Sequence, residues 1–168
     1  MRPAVSRRER GQAMVEFALV LPIFLLVLLG VFDFGRAIYA YNAVANAARE
    51  GARTAIINQG TDTIRAKAAQ QATALGLPAT DPGLACPPDG GPTTAASGIC
   101  VHFFLGDSTV TCDPIAIECN AVVSVKWEYR AIVPLVGNVV GAIPLVATSR
   151  QAIENVCPRA GVTTCLGR

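Results

Sequence analysis

From Phe17 to Phe32 the chain reads FALVLPIFLLVLLGVF, without a single charge. Extended back to Ala13, the block is interrupted only by Glu16. As a helix rising 1.5 Å per residue, such a block is about 30 Å long, the thickness of a bilayer's hydrocarbon core. The block also accounts for an unusual composition. Only 15% of the 168 residues are charged and 52% are hydrophobic, whereas a soluble domain carries about a quarter charged residues.

The flanks of the block give it a direction. Arg2, Arg7, Arg8 and Arg10 precede it, against Glu9 alone. Basic residues before a span hold that end in the cytoplasm, so the expectation is a single-pass protein of the cytoplasmic (inner) membrane with its C-terminal part extracytoplasmic. A cleaved secretory signal is the competing reading. It requires a small-residue cleavage site close behind the apolar core, but here Asp33-Phe34-Gly35-Arg36 follows, and Ala43-Val44-Ala45 comes much later. A net charge of +2 gives no case for a nucleic-acid partner.

The cysteines agree with this topology. Cys86, Cys100, Cys112, Cys119, Cys157 and Cys165 all lie in the C-terminal half. An even number at wide spacing, without C-x-x-C or a histidine at zinc spacing, reads as a disulfide framework, and disulfides persist in oxidising compartments. Buried free thiols are the alternative. The pairing is open, since six cysteines allow 15 connectivities; local pairs are expected.

Two residues in the block stand out. A carboxylate in an apolar span is costly and marks a functional candidate; Glu16 lies near the cytoplasmic end, where snorkelling lowers that cost. Pro22 cannot donate to the carbonyl of Ala18, so a kink or a flexible point is expected there. Before Glu16 the chain reads Arg10-Gly11-Gln12-Ala13-Met14-Val15-Glu16-Phe17. Glycine offers a peptidase an unhindered, extended backbone. Cutting between Gly11 and Gln12 would free an amine about 6 Å, one helical turn, from Glu16.

Residues 9–53, ERGQAMVEFALVLPIFLLVLLGVFDFGRAIYAYNAVANAAREGAR, closely resemble the N-terminal segment of TadE-like proteins of the Tad (Flp) pilus system. Gly11, Val15-Glu16-Phe17-Ala18, Pro22, Asp33-Phe34-Gly35-Arg36 and Ala48-Arg49-Glu50-Gly51-Ala52-Arg53 carry the likeness. The resemblance implies a minor pilin-like (pseudopilin) component. Its partners would be other pilin-like subunits, pilus assembly membrane proteins and a prepilin peptidase cutting between Gly11 and Gln12. Glu16, Phe17 and Pro22 would then serve recognition and assembly, and Asp33, Gly35, Arg36, Arg49, Gly51 and Arg53 helix packing. A membrane-tethered binding module contacting a secreted substrate, cell wall or other ligand is the alternative.

The expected organisation is a basic leader (1–11), a transmembrane helix with its extension (12–58), and a disulfide-bearing domain (59–168). The fold class is α+β: a long N-terminal helix running into a pilin-like domain with a small antiparallel sheet. Beyond the span, Phe34, Ile38, Tyr41, Ala45, Ala48, Ala52 and Ala55 recur at steps of four and three, one helical face, expected to pack mostly on the chain's own domain. Asn42, Asn46, Arg49 and Arg53 fall on another face. Gly35 and Gly51 each cost a helix about 1 kcal/mol relative to alanine but admit close neighbours.

A second helix over roughly 63–75, capped by Thr61 or Asp62 and closed by Gly76 and Pro78, comes next, then a Pro/Gly/Thr-rich loop over 76–98 into which Cys86 is tied. Strands are expected around Val101–Leu105, Val123–Arg130 and 145–153. Residues 131–149 carry no charge; this stretch is read as a loop that packs on the sheet or meets a partner or the membrane face. Prolines and glycines argue against a second span.

No enzyme is expected. His102, the lone histidine, lacks partners at metal or triad spacing, and there is no P-loop or dinucleotide fingerprint. Asp107, Asp113 and Glu118 read as solvated turn acids rather than a calcium site. No metal or cofactor is expected.

Overall fold

The computed structural model describes residues 7–80, 83–133, 137–138 and 141–156. The chain is α+β: a long apolar helix followed by a three-stranded antiparallel sheet. Helix α1 spans Arg7–Ala55 and α2 spans Thr61–Gln71; strands β1 (Gly98–Leu105), β2 (Cys119–Arg130) and β3 (Ala142–Ala152) follow. The sheet order is β1-β2-β3, with both neighbours antiparallel.

At 49 residues, α1 is about 73 Å long. It begins within the basic leader, so Gly11 lies in helix rather than in the extended backbone expected of it. Pro22 sits inside α1 without ending it. Residues 11–32 are almost wholly exposed, while from Asp33 onward one side of the helix is buried. That second half lies on β2 and β3 and beside α2.

The inner sheet face presents Ile99, Val101 and Phe103 beside Val125, Val123 and Ala121, paired in register. These close a core with Val44, Ala47 and Ala48 of α1 and Ile64 and Ala68 of α2. Gly51 marks the tightest crossing. A Cβ there would stand 2.9 Å from Val123 Cγ1 and 3.2 Å from the Ala68 Cβ, so a side chain at 51 would push α1 off both neighbours.

The buried line on α1 differs from the expected stripe. Ala48, Ala52 and Ala55 are buried, but Phe34, Ile38 and Tyr41 are exposed, and Asp33, Ala40 and Val44 are buried in their place. The reason is geometric. The expected row repeats every 3.5 residues, and such a row drifts about 20° per heptad around a straight helix. It starts in the core near Ala55 and winds out, by about 60° over three heptads, to solvent at Phe34.

Smaller differences have local causes. α1 ends at Ala55, and Gln59 closes the turn by donating from Nε2 to the Ala55 and Asn155 carbonyls at 2.8 and 2.9 Å. Gly60 stands at the N-cap of α2, without a side-chain cap from Thr61 or Asp62. That helix stops at Gln71 and a 3-10 turn continues to Leu75, where the Trp127 indole N–H donates to the Leu75 carbonyl at 3.0 Å. β3 starts at Ala142, earlier than expected, because Ile143 and Leu145 pair with Tyr129 and Trp127. The uncharged stretch is therefore strand over its second half, and Pro144 is tolerated because β3 is an edge strand.

Among the described residues two disulfides form, Cys86–Cys100 and Cys112–Cys119, with Cα separations of 5.5 and 6.0 Å. The first fastens the loop before β1 over the outer sheet face, where the buried Ser124 hydroxyl donates to the Gly90 carbonyl at 2.7 Å. Cys157 and Cys165 lie outside the described residues.

Candidate helix-domain junction

The polar centre of the molecule lies where the apolar block ends. Asp33, the first residue after it, is buried. Its carboxylate accepts the backbone N–H of Val133 at 2.9 Å and of Ile132 at 3.1 Å. The Tyr129 hydroxyl reaches the Asp33 carbonyl oxygen at 2.7 Å and Oδ1 at 3.1 Å. Arg36 donates to Oδ1 at 3.2 Å, and its guanidinium lies 5.7 Å from the centre of the Tyr129 ring. Arg36 is half exposed, so this ion pair contributes little by itself.

The electrostatics follow from these contacts. The Val133 N–H foremost, with the Ile132 N–H, the Tyr129 hydroxyl and the Arg36 charge, outweighs burial and holds the Asp33 carboxyl below the usual carboxylate range. Burial first, then the Asp33 carboxylate, pushes the Tyr129 phenol up. Asp33 therefore stays an anion that accepts, and Tyr129 a neutral group that donates.

Beside this knot lies an apolar cleft of about 230 Å³, walled by Gly30, Phe34 and Ala37 of α1 and by Val133, Gly141 and Ile143 of the domain. Of the residues assigned by sequence to helix packing, the structure brings Asp33 and Arg36 into the junction and Gly51 into the core crossing. Gly35 has nothing within 4 Å of a built Cβ, and Arg49 and Arg53 are exposed. Gln12, Glu16 and Phe17 are exposed along the apolar half of α1. No ion pair to Glu16 forms among the described residues.

Sequence reasoning missed Tyr129, Ile132 and Val133 as partners of Asp33. Their one visible trace is the charge-free stretch directly after Arg130. Elsewhere, His102 stacks on Phe104, ring centres 5.7 Å apart, and burial pushes its pKa down. It lies near Cys86 and Cys100, whose sulfurs are joined to each other. Asp107 pairs with Arg150 at 3.2 Å.

α1 is long and apolar enough, by length and composition, to cross a membrane. No curated protein and no solved structure matches the chain. Residues 11–53, about a quarter of the chain, match the family model described as TadE-like protein.

Proposed function

We propose that this chain is a membrane-anchored minor pilin-like (pseudopilin) structural component of Tad/Flp pilus assembly or its associated secretion apparatus. The observation that carries the reading is the row Phe34, Ile38 and Tyr41. These residues stand 68%, 47% and 57% exposed along the flank of α1, beside its buried face. The row continues the apolar block with the 3.5-residue repeat of a helix that supercoils with another. The TadE-like match over residues 11–53 supports the same system.

In this reading α1 anchors the protein with the domain outside, and its open row meets the helices of other pilin-like subunits and assembly proteins. A prepilin peptidase cuts between Gly11 and Gln12, and the new amine is neutralised by Glu16 within one chain or between neighbours. Because Gly11 lies in helix, the first turns of α1 must open for the cut. No catalytic step is assigned to the chain.

The test is photo-crosslinking from Ile38 and Tyr41 in cells, together with N-terminal sequencing. Crosslinks to pilin-like subunits and a mature terminus at Gln12 are expected. An intact N-terminus, with piliation unaffected by deletion of the gene, favours the tethered binding module instead.

A further inference from the structure

We infer that the domain rests on the bilayer, with Ile132 and Ile143 seated among lipid acyl chains of the leaflet on the domain's side. The inference rests on the reading that α1 crosses a membrane. Asp33 directly follows the uncharged block Phe17–Phe32, so it stands at the edge of the hydrocarbon. The Ile132 and Val133 amides are 3.1 and 2.9 Å from its carboxylate, which fixes that part of the domain at the same level. The cleft between helix and domain reaches down to Gly30, a residue of the span itself. Groups that wall it from the domain side, Val133 and Ile143 among them, therefore lie alongside the last turn of the span.

The chemistry suits lipid. No charge occurs between Ala131 and Ser149. Ile132 is 64% exposed and Ile143 41% exposed, an apolar surface continuous with the apolar helix. The one carboxylate at the boundary, that of Asp33, accepts hydrogen bonds from two backbone N–H groups, which offsets the cost of holding it beside hydrocarbon. Arg36 and Arg130 are exposed next to this surface, at the level of lipid phosphates.

The far end of the domain provides the control. Ile117, 65% exposed, precedes β2. Cys119 and Tyr129 are ten residues apart along that strand, or about 33 Å at 3.3 Å per residue. The experiment uses the full chain, isoleucine-δ1-methyl labelled, in nanodiscs whose phosphatidylcholine carries a nitroxide on its acyl chain. The methyls of Ile132 and Ile143 should broaden several-fold more than that of Ile117, and Ile23 within the span should broaden as well. Broadening of Ile23 with Ile132 and Ile143 no more affected than Ile117 overturns this inference alone. An unaffected Ile23 overturns the membrane span and the inference with it.

Discussion

The Tyr129 hydroxyl donates to the backbone carbonyl of Asp33 across 2.7 Å, joining the end of the sheet to the helix 96 residues earlier. Through it, and through the two amides on the Asp33 carboxylate, the domain is fixed in rotation and height on α1. Tyr129→Phe removes the donor and keeps the ring. It should lower the stability of the full chain in detergent by about 1 kcal/mol, measured by urea unfolding. An unchanged midpoint would show that the bond adds nothing over water.

Asp33→Ala removes both carboxylate oxygens that accept from Ile132 and Val133 and leaves the backbone carbonyl that accepts from Tyr129, while Asp33→Asn keeps one side-chain oxygen. Amide exchange at Ile132 and Val133 should accelerate in both variants, and more in the alanine variant. The pH dependence has a definite sign. Because the folded carboxyl is held below its ordinary value, its contribution is complete above about pH 4, where the unfolded carboxyl is ionised. It is lost as pH falls through the lower, folded value. A carboxyl carbon titration of Asp33 should show that depression, and Tyr129→Phe should lessen it.

Gly51 and Gly35 should respond oppositely to alanine. At Gly35 nothing lies within 4 Å of the new Cβ, so Gly35→Ala should gain about 1 kcal/mol from helix propensity. At Gly51 the same gain is opposed by contacts of 2.9 Å with Val123 and 3.2 Å with Ala68. Overpacking typically costs about 1–3 kcal/mol, so Gly51→Ala should be net destabilising and Gly51→Leu severely so. Unfolding midpoints of the two alanine variants decide the matter. Lost piliation in a stabilised Gly35→Ala protein would mark a close approach by another subunit's helix.

Removing the Cys86–Cys100 link with serines should cost about 3 kcal/mol for a loop of this length, given a sequence separation of 14. The loop it fastens covers Phe104 and Val122 through Gly90. The double variant should therefore expose the outer sheet face to a hydrophobic dye while the α1 side of the sheet stays protected from exchange.

For assembly, Ile38→Lys alters an exposed residue and should change stability by no more than about 0.5 kcal/mol, yet abolish crosslinking to other subunits. Val44→Asp places a charge where the side chain is fully buried and should prevent folding. Glu16→Ala should insert in the membrane normally and impair assembly. Normal pili from that mutant would remove the role given to Glu16.

Much of this protein was legible in one dimension. The apolar block needs only its own residues to be read, since helical hydrogen bonds are local and lipid accepts apolar surface from every side. The alternation Val123, Val125, Trp127, Tyr129 marked β2 for the same reason, because a period of two is a property of the strand itself. The direction of α1's buried face was not legible. Its upper row enters the core at Ala48, Ala52 and Ala55, but the same row at Phe34, Ile38 and Tyr41 faces outward. Sequence spacing alone does not separate a 3.5-residue row from the 3.6-residue line that a straight helix buries.

What the sequence determined by itself is therefore the long apolar helix, the strands and the α+β class, all set by interactions between residues close along the chain. Only the tertiary structure decided that Asp33 is answered by Tyr129, Ile132 and Val133, that Cys86 joins Cys100, and which side of α1 remains open. Each of these depends on how the sheet docks across the helix. That docking is set by close packing at Gly51 and by the need of a buried carboxylate for donors, and neither leaves a periodic trace in the order of the residues.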